Sequence, residues 1–508
     1  MRNKIISLAL LLMLAPIAYT FGTDYNILDF GAKKDTTFNS SVAINAAVKA
    51  CFENGGGRVV IPTGDFKSGT IRLLDNVELH LERGATLFAS TDYRDFPRQK
   101  RPEYRSQKDT GGWYSLLYAE SASNIAVTGS GTIDGQGALH GARPDATGRG
   151  DKDGRPRNIL FISCKNVLVK GIKMKNAAIW NQHYLNCEDV LVTGIDVFNH
   201  GNRNNDGIDI DGCRRFILTD SRFDSDDDAV CLKSTGPAPC EDIVISNCVI
   251  SSACNAIKCG TESTGGFKNI NISNCVVKPS RNPHVRKHGS GKDIGITAVS
   301  LEIVDGGTMD GVTVNNITVY GTDAPLFIRL ANRARKHRDD AEKPKPGSMR
   351  NISISDFVAY GTGNFTSSIT ASKGQMVENV SIKNFRTLAI GDISEKDFKR
   401  LVKEKPTSYP QPTMWRNLPC SGLFARHVKG LSLDGISLEA GVNDIRIPVI
   451  MDDIQGLRIN GLSVTGKVNR KKLIELYACP KPVLSPGVKK VVTSKKSAPL
   501  KEDEPFYP

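Results

Sequence analysis

Aromatic residues are scarce in this chain, at 7% of 508 positions, and only three are tryptophan. Glycine is plentiful, with 47. Few bulky rings and many glycines suit short strands joined by tight turns. Beyond the first two dozen residues no apolar run is long enough to span a bilayer, so no membrane span is expected. The net charge of +13 comes with no nucleic-acid motif and no interleaved aromatics. It reads as a solvated basic surface or as attraction to a polyanion, and an acidic polysaccharide fits better than nucleic acid.

What the sequence does contain is a repeat. Six segments have nearly the same pattern: CKNVLVKGI, CEDVLVTGI, CRRFILTDS, CEDIVISNC, KNINISNC and DGVTVNNI. Each alternates apolar and polar residues and breaks at Gly, Asn or Asp. The first apolar residues, Val167, Val190, Phe216, Ile243, Ile270 and Val312, recur at 23, 26, 27, 27 and 42 residues. A period of this size marks a solenoid, and the alternation says its unit is a strand. A leucine-rich repeat would put Leu at most apolar positions, but here Val and Ile lead. The expected fold is all-β, a single-stranded right-handed parallel β-helix, because parallel crossovers are right-handed.

A length of 508 residues would allow two to four compact domains, but a solenoid grows along one axis without splitting. Residues 1–22 read as a signal peptide, with Arg2 and Lys4 ahead of a short apolar stretch from Ile5 to Ala15. The protein is therefore expected to be exported, periplasmic or secreted. Residues 23–120 would hold an N-terminal cap and the first coils, with a capping helix over Ser41 to Cys51 and Asn39 or Ser40 as its N-cap. Residues 121–479 would form the helical body. Residues 480–508, rich in Pro and Lys, would be an extended or disordered tail. Loops are expected around 280–310, 325–350 and 390–425, the last with a helical stretch, SEKDFKRLVKE. Cys164, Cys187, Cys213 and Cys240 share one position in the repeat. Stacked Cβ atoms point in parallel, so a ladder of buried free thiols is favoured over disulfides.

Acidic residues crowd two neighbouring coils. NNDGIDIDG holds Asp206, Asp209 and Asp211, and DSDDDAVCLKS holds Asp224, Asp226, Asp227 and Asp228. Asp206 and Asp227 are 21 residues apart, close to one coil, so they should be spatial neighbours. An Asp-rich turn or a calcium site are the plainer explanations. Crowded carboxylates repel one another, however, and push their pKa values apart as acid/base chemistry requires. Glycoside hydrolysis uses such a pair, about 6.5–9.5 Å apart for inversion and about 5–5.5 Å for retention. Spacing in sequence does not choose between them.

At these residues the chain resembles glycoside hydrolase family 28, the polygalacturonase family. NNDGIDI and DDAVCLKS look like its N-x-D and D-D motifs. FGAKKDTTFNSSVAINAAV, GGGRVVIPTGDF and LERGATLFAS resemble its opening, and RPRNILFISCKNVLVKGIKMKNAAIWNQH its segment before the active site. The resemblance runs from about residue 26 to 320. It implies a pectic, galacturonate-containing substrate, an acidic plant-type polysaccharide or oligosaccharide, cleaved with inversion. It implies Asp227 as general acid, Asp206 and Asp228 holding and deprotonating the water, and Asn204 positioning the group. No metal or other cofactor is implied, and a monomer is expected.

Two motifs depart from that family. Asn255 stands where its G-H-G histidine is expected, and Ser300 and Glu302 stand in place of the Arg and Lys of R-I-K. Lys258 could hold an anionic sugar instead. Arg329 and Lys233 are weaker candidates, each read first as a surface charge. Glu262 is a candidate for a sugar hydroxyl, and His183, Asn176 and Trp180 read as structural. The loops at 280–310 and 390–425 could block one end of a cleft. The alternatives are a polysaccharide lyase on the same scaffold and a non-catalytic carbohydrate-binding β-helix.

Overall fold

The computed structural model describes residues 23–107, 113–145, 154–284, 289–290, 294–468 and 471–496. The proposed signal peptide lies outside them. Among the described residues every strand pairing is parallel, from Asp24–Asn26 with Gly57–Ile61 to Ile474–Tyr477 with Val491–Ser494. The chain winds as a parallel β-helix. The predicted row stacks in register, Val167 on Val190, then Phe216, Ile243, Ile270 and Val312. It runs on through Ile352, Val380 and Leu431. These side chains fill one continuous apolar interior. Each rung removes the same face from water, so the alternation is kept for as long as the helix lasts.

The breaks in the repeat are corners. Asn166, Asp189, Asp242, Asn269, Asn351 and Asn379 all have φ between 51° and 58°. Asn and Asp adopt this left-handed conformation more readily than most residues. Their side chains also bond from coil to coil. Asn166 Nδ2 donates to Asn124 Oδ1 at 2.7 Å, and Asn269 Nδ2 to Asp242 Oδ1 at 2.9 Å. All twelve cysteines are free thiols, and eleven are buried. Instead of pairing, the stacked thiols donate to strand carbonyls, as Cys213 Sγ does to Tyr184 O at 3.2 Å.

One helix, α1 (Ser41–Glu53), packs Ile44, Ala47, Val48 and Cys51 against the first coil. Ser40 holds the N-cap position without a side-chain capping bond. Asn39 does the capping, its Oδ1 accepting from Ser41 N at 2.9 Å. No helix of the described residues is long and apolar enough to cross a membrane.

Three expectations are corrected. The helical winding continues past residue 480, where Val483–Leu484 and Val491–Ser494 add to the sheet. Val491 stacks on Ile474, and that contact outweighs the Lys- and Pro-rich composition around it. The stretch SEKDFKRLVKE forms only a 3-10 turn, Glu395–Asp397. Beyond it the chain is drawn onto the sheet, where Val402 joins an apolar cluster. The irregular connections are also shorter than expected, since Gly295–Ile303, Thr322–Leu330 and Ser348–Thr362 are strands.

Candidate active site

One sheet carries the site on its outer face. Its successive strands are Gln182–Leu185, Ile208–Asp211, Val230–Ser234, Asn255–Ser263, Gly295–Ile303 and Thr322–Leu330. Adjacent rungs lie about 4.8 Å apart. Asp209 pairs with Cys231, an offset of 22 residues. Gly207 N bonds Asp228 O at 2.9 Å, an offset of 21, so the turn carrying Asp206 lies on the turn carrying Asp227 and Asp228. Carboxylate oxygens of Asp206 and Asp228 come within 4.8 Å, as do those of Asp227 and Asp228.

The seven aspartates divide into three groups. Asp224 and Asp226 clasp His200, at 3.1 Å to Nε2 and 2.8 Å to Nδ1. Asp211 bonds His183 Nε2 at 3.0 Å and Thr235 Oγ1 at 2.6 Å, deep in the wall. The remaining four, Asp206, Asp209, Asp227 and Asp228, share two lysines. Lys258 Nζ is 3.0 Å from Asp228 Oδ2, and Asn255 Nδ2 donates to Asp228 Oδ1 at 2.6 Å. Lys233 Nζ lies 3.4 Å from Asp209, 3.7 Å from Asp206 and 3.8 Å from Glu262. A divalent cation in this cluster would have to displace these ammonium groups.

This sharing sets the carboxylates apart electrostatically. Burial and the neighbouring Asp228 charge push the Asp227 carboxyl above its usual range. Burial opposes ionisation of Asp228 too, but Lys258, Lys233 and the Asn255 amide outweigh it and hold this carboxyl low. Asp206 is pushed well up by burial and by Asp209 and Asp227. Burial also raises Asp209, to about 7 despite Lys233. The cluster thus sets one carboxyl held low beside others held high, which is the asymmetry acid/base catalysis needs. Asp227 is the least buried of the four.

The other predicted residues scatter. Asn204 is exposed at the rim with φ 52°, and its Oδ1 accepts from Arg155 Nη2 at 3.2 Å. Its neighbour Asn205 is the buried member, donating to Ala177 O at 2.8 Å. Glu262 sits between Lys233 and Arg335, the latter at 3.7 Å. Glu302 is 0% exposed, accepts from Ser300 Oγ at 2.6 Å, and is raised to about 7 by burial. Arg329 is 1% exposed and donates to Ser372 Oγ and to the carbonyls of Glu404 and Lys405. Neither has surface to offer a substrate, because residues 390–419 fold over both. Lys233 and Arg329 are not surface charges: Lys233 is enclosed by Asp206, Asp209, Glu262 and Trp180, and Arg329 by the segment that carries Glu404 and Lys405. His183 and Trp180 build the wall, with rings edge to face at 5.0 Å, and the indole lies 4.7 Å under Lys233.

Sequence reasoning missed Tyr409. Its hydroxyl accepts from Lys258 Nζ at 3.0 Å, although half of the residue is exposed. It also left Asp209 and His200 without roles. The partners of both lie one coil on, at offsets near the repeat period, so the period itself could have found them.

Comparisons with known proteins agree with this fold. The sequence profile of glycosyl hydrolases family 28 matches residues 51–328. A probable polygalacturonase from Vitis vinifera is 28% identical over 303 residues, covering 54% of this chain and 60% of that protein. An exo-poly-alpha-D-galacturonosidase from Dickeya chrysanthemi is 21% identical over 437 residues, covering 74% and 70%. In shape, a hyperthermoactive exopolygalacturonase from Thermotoga maritima superposes with a TM-score of 0.59 at 22% identity, over 86% of this chain and 92% of that one.

Proposed function

This chain belongs to glycosyl hydrolases family 28 and is a glycoside hydrolase, and from that premise we propose that it is an exported enzyme that cleaves pectic, galacturonate-containing polysaccharide with inversion. Asp227 protonates the leaving glycosidic oxygen. Asp228 takes the proton of the attacking water, which Asp206 helps to hold. The carrying observation is the split between the neighbouring carboxyls: Asp227 held up by burial, Asp228 held down by Lys258 and Asn255. An acid and a base on adjacent residues then coexist at one pH. Asn255 takes part by fixing the base, and Lys258 by neutralising it, rather than either gripping the sugar. Asn204 and Glu262 are left as the polar groups at the rim.

The test is incubation with a panel of pectic oligosaccharides. Mass spectrometry should show the addition of water, and NMR at early times the inverted anomer. Asp227→Asn should lower turnover by about 10²–10⁴-fold, with a thermal midpoint near that of the unaltered protein, since a neutral amide replaces a carboxyl whose ionisation burial and Asp228 already disfavour. Full turnover in Asp227→Asn, or unsaturated products, would sink the assignment.

A further inference from the structure

Residues 390–419 leave the helix between the strands Val377–Ala389 and Cys420–Asp444, four rungs beyond Lys258 along the site's sheet. They do not hang into solvent. Trp415 packs on Phe327, with ring centres 6.2 Å apart, and its Nε1 donates to Lys403 O at 2.8 Å. Val402 and Leu418 join Phe424, Ile447 and Ile450 in a separate apolar cluster. Arg426 donates to Val402 O at 2.7 Å, Asn332 N to Pro406 O at 3.1 Å, and Lys373 N to Glu404 Oε2 at 3.0 Å. The segment is thus fastened to Thr322–Leu330, to Cys420–Asp444 and to the connections at Asn332 and Lys373. Beneath it the outer faces of Gly295–Ile303, Thr322–Leu330 and Ser367–Ala371 are wholly buried.

At the far reach of this cover stands Tyr409. Its hydroxyl rests on Lys258, the lysine that holds Asp228, and the Arg333 guanidinium lies 6.0 Å from its ring. Yet Tyr409 is 50% exposed, while Lys258 is 1% and Asp228 3% exposed. This half-exposed ring, tied by its hydroxyl to Lys258, leaves part of its aromatic surface free beside buried catalytic groups. The opposite end of the sheet is covered as well. Trp113 and Tyr104 pack over Tyr118, Leu160 and Leu185, and Gln107 N donates to Thr235 O at 2.7 Å. Between the two covers Asp227 stays partly exposed and Tyr409 half-exposed.

Building on the hydrolase reading, we propose that residues 390–419 are a fixed end wall, that Tyr409 is its substrate-facing, specificity-determining residue stacking on a sugar ring, and that the enzyme therefore acts on chain ends. A polymer threading through would have to lift a segment held by several hydrogen bonds and an apolar cluster, whereas a chain terminus can enter from outside and abut Tyr409.

Two measurements on the full chain test this. With a long pectic polymer the unaltered protein should release one small product from the earliest times, with little loss of viscosity. A mixed ladder of sizes overturns the end wall. In calorimetry with short pectic oligosaccharides, on the Asp227→Asn background so that nothing turns over, Tyr409→Ala should weaken binding by about tenfold, as loss of an aromatic contact does. Tyr409→Phe should stay within about threefold. Equal affinity in Tyr409→Ala overturns the role of the ring. If no sugar is released from any pectic substrate, the hydrolase reading fails instead, and the binding comparison still decides the role of Tyr409.

Discussion

Two rows of residues climb this molecule under opposite rules. Inside, the row from Ile125 through Val167, Val190, Phe216, Ile243, Ile270 and Val312 to Leu431 is apolar at every rung. On the outer face of the site's sheet, the row His183, Asp209, Cys231, Lys258, Ser300, Phe327 changes character at every rung. Both rows have the same backbone geometry and the same spacing. An interior residue must pack against its own kind above and below. An outer residue needs only its polar atoms satisfied. Such a fold can therefore hold its scaffold constant and vary its chemistry along a single wall.

The widest break in that comparison comes from the inner row. Phe216 is fully buried, and its ring meets Tyr184 edge to face at 5.3 Å. Phe216→Ala should cost about 3–5 kcal/mol, read as a large drop in the thermal midpoint. Turnover per folded molecule should stay near the unaltered value. Asp227→Asn should do the reverse. If Phe216→Ala abolished turnover at temperatures where circular dichroism still shows the native sheet, the separation of scaffold from chemistry would be wrong.

The same contrast explains what could be read in advance. The inner row is periodic, so a few segments disclose the fold and its register, and a spacing near one coil brings the turn of Asp206 to the turn of Asp227 and Asp228. The roof over the wall has no period. Tyr409 lies 151 residues from Lys258 in sequence, and no spacing rule connects them. Without their partners from other coils and from the roof, Lys233 and Arg329 read as surface charges. In the fold they are buried, Lys233 beside Asp209 and Glu262 and Arg329 under the carbonyls of the segment above.

A smaller effect should come from the outer side, at His200. Burial disfavours its charged form, but hydrogen bonds to Asp224 and Asp226 outweigh that and raise its pKa to about 9. The raised value means that the charged imidazole stabilises the fold fully below about pH 6.5, and that this contribution is lost as pH rises through 9. Asp224 also accepts from Ser280 Oγ and Arg281 N, so the same group ties down the connection after residue 278. The thermal midpoint should fall between pH 6.5 and 9.5 by the equivalent of about 2 kcal/mol, and His200→Gln should flatten that fall. An equally steep decline in the variant would show that other groups carry it.

The smallest effect belongs to the corners, which serve the inner row without packing into it. Asn247 has φ 55°, donates to Asp220 Oδ1 at 3.2 Å and accepts from Asn274 Nδ2 at 3.3 Å, all at the surface. Alanine there would keep the backbone turn but meet its Cβ penalty, about 1 kcal/mol, and lose two weak exposed bonds. Glycine would lose the same bonds without the penalty. Asn247→Ala should therefore lower the midpoint by a degree or two and Asn247→Gly by less, with turnover unchanged in both. If the two variants fell equally, the side-chain ladder rather than the left-handed backbone would be what the corner asparagines contribute. The rule that each coil must break at Gly, Asn or Asp would then be one of hydrogen bonding, not of conformation.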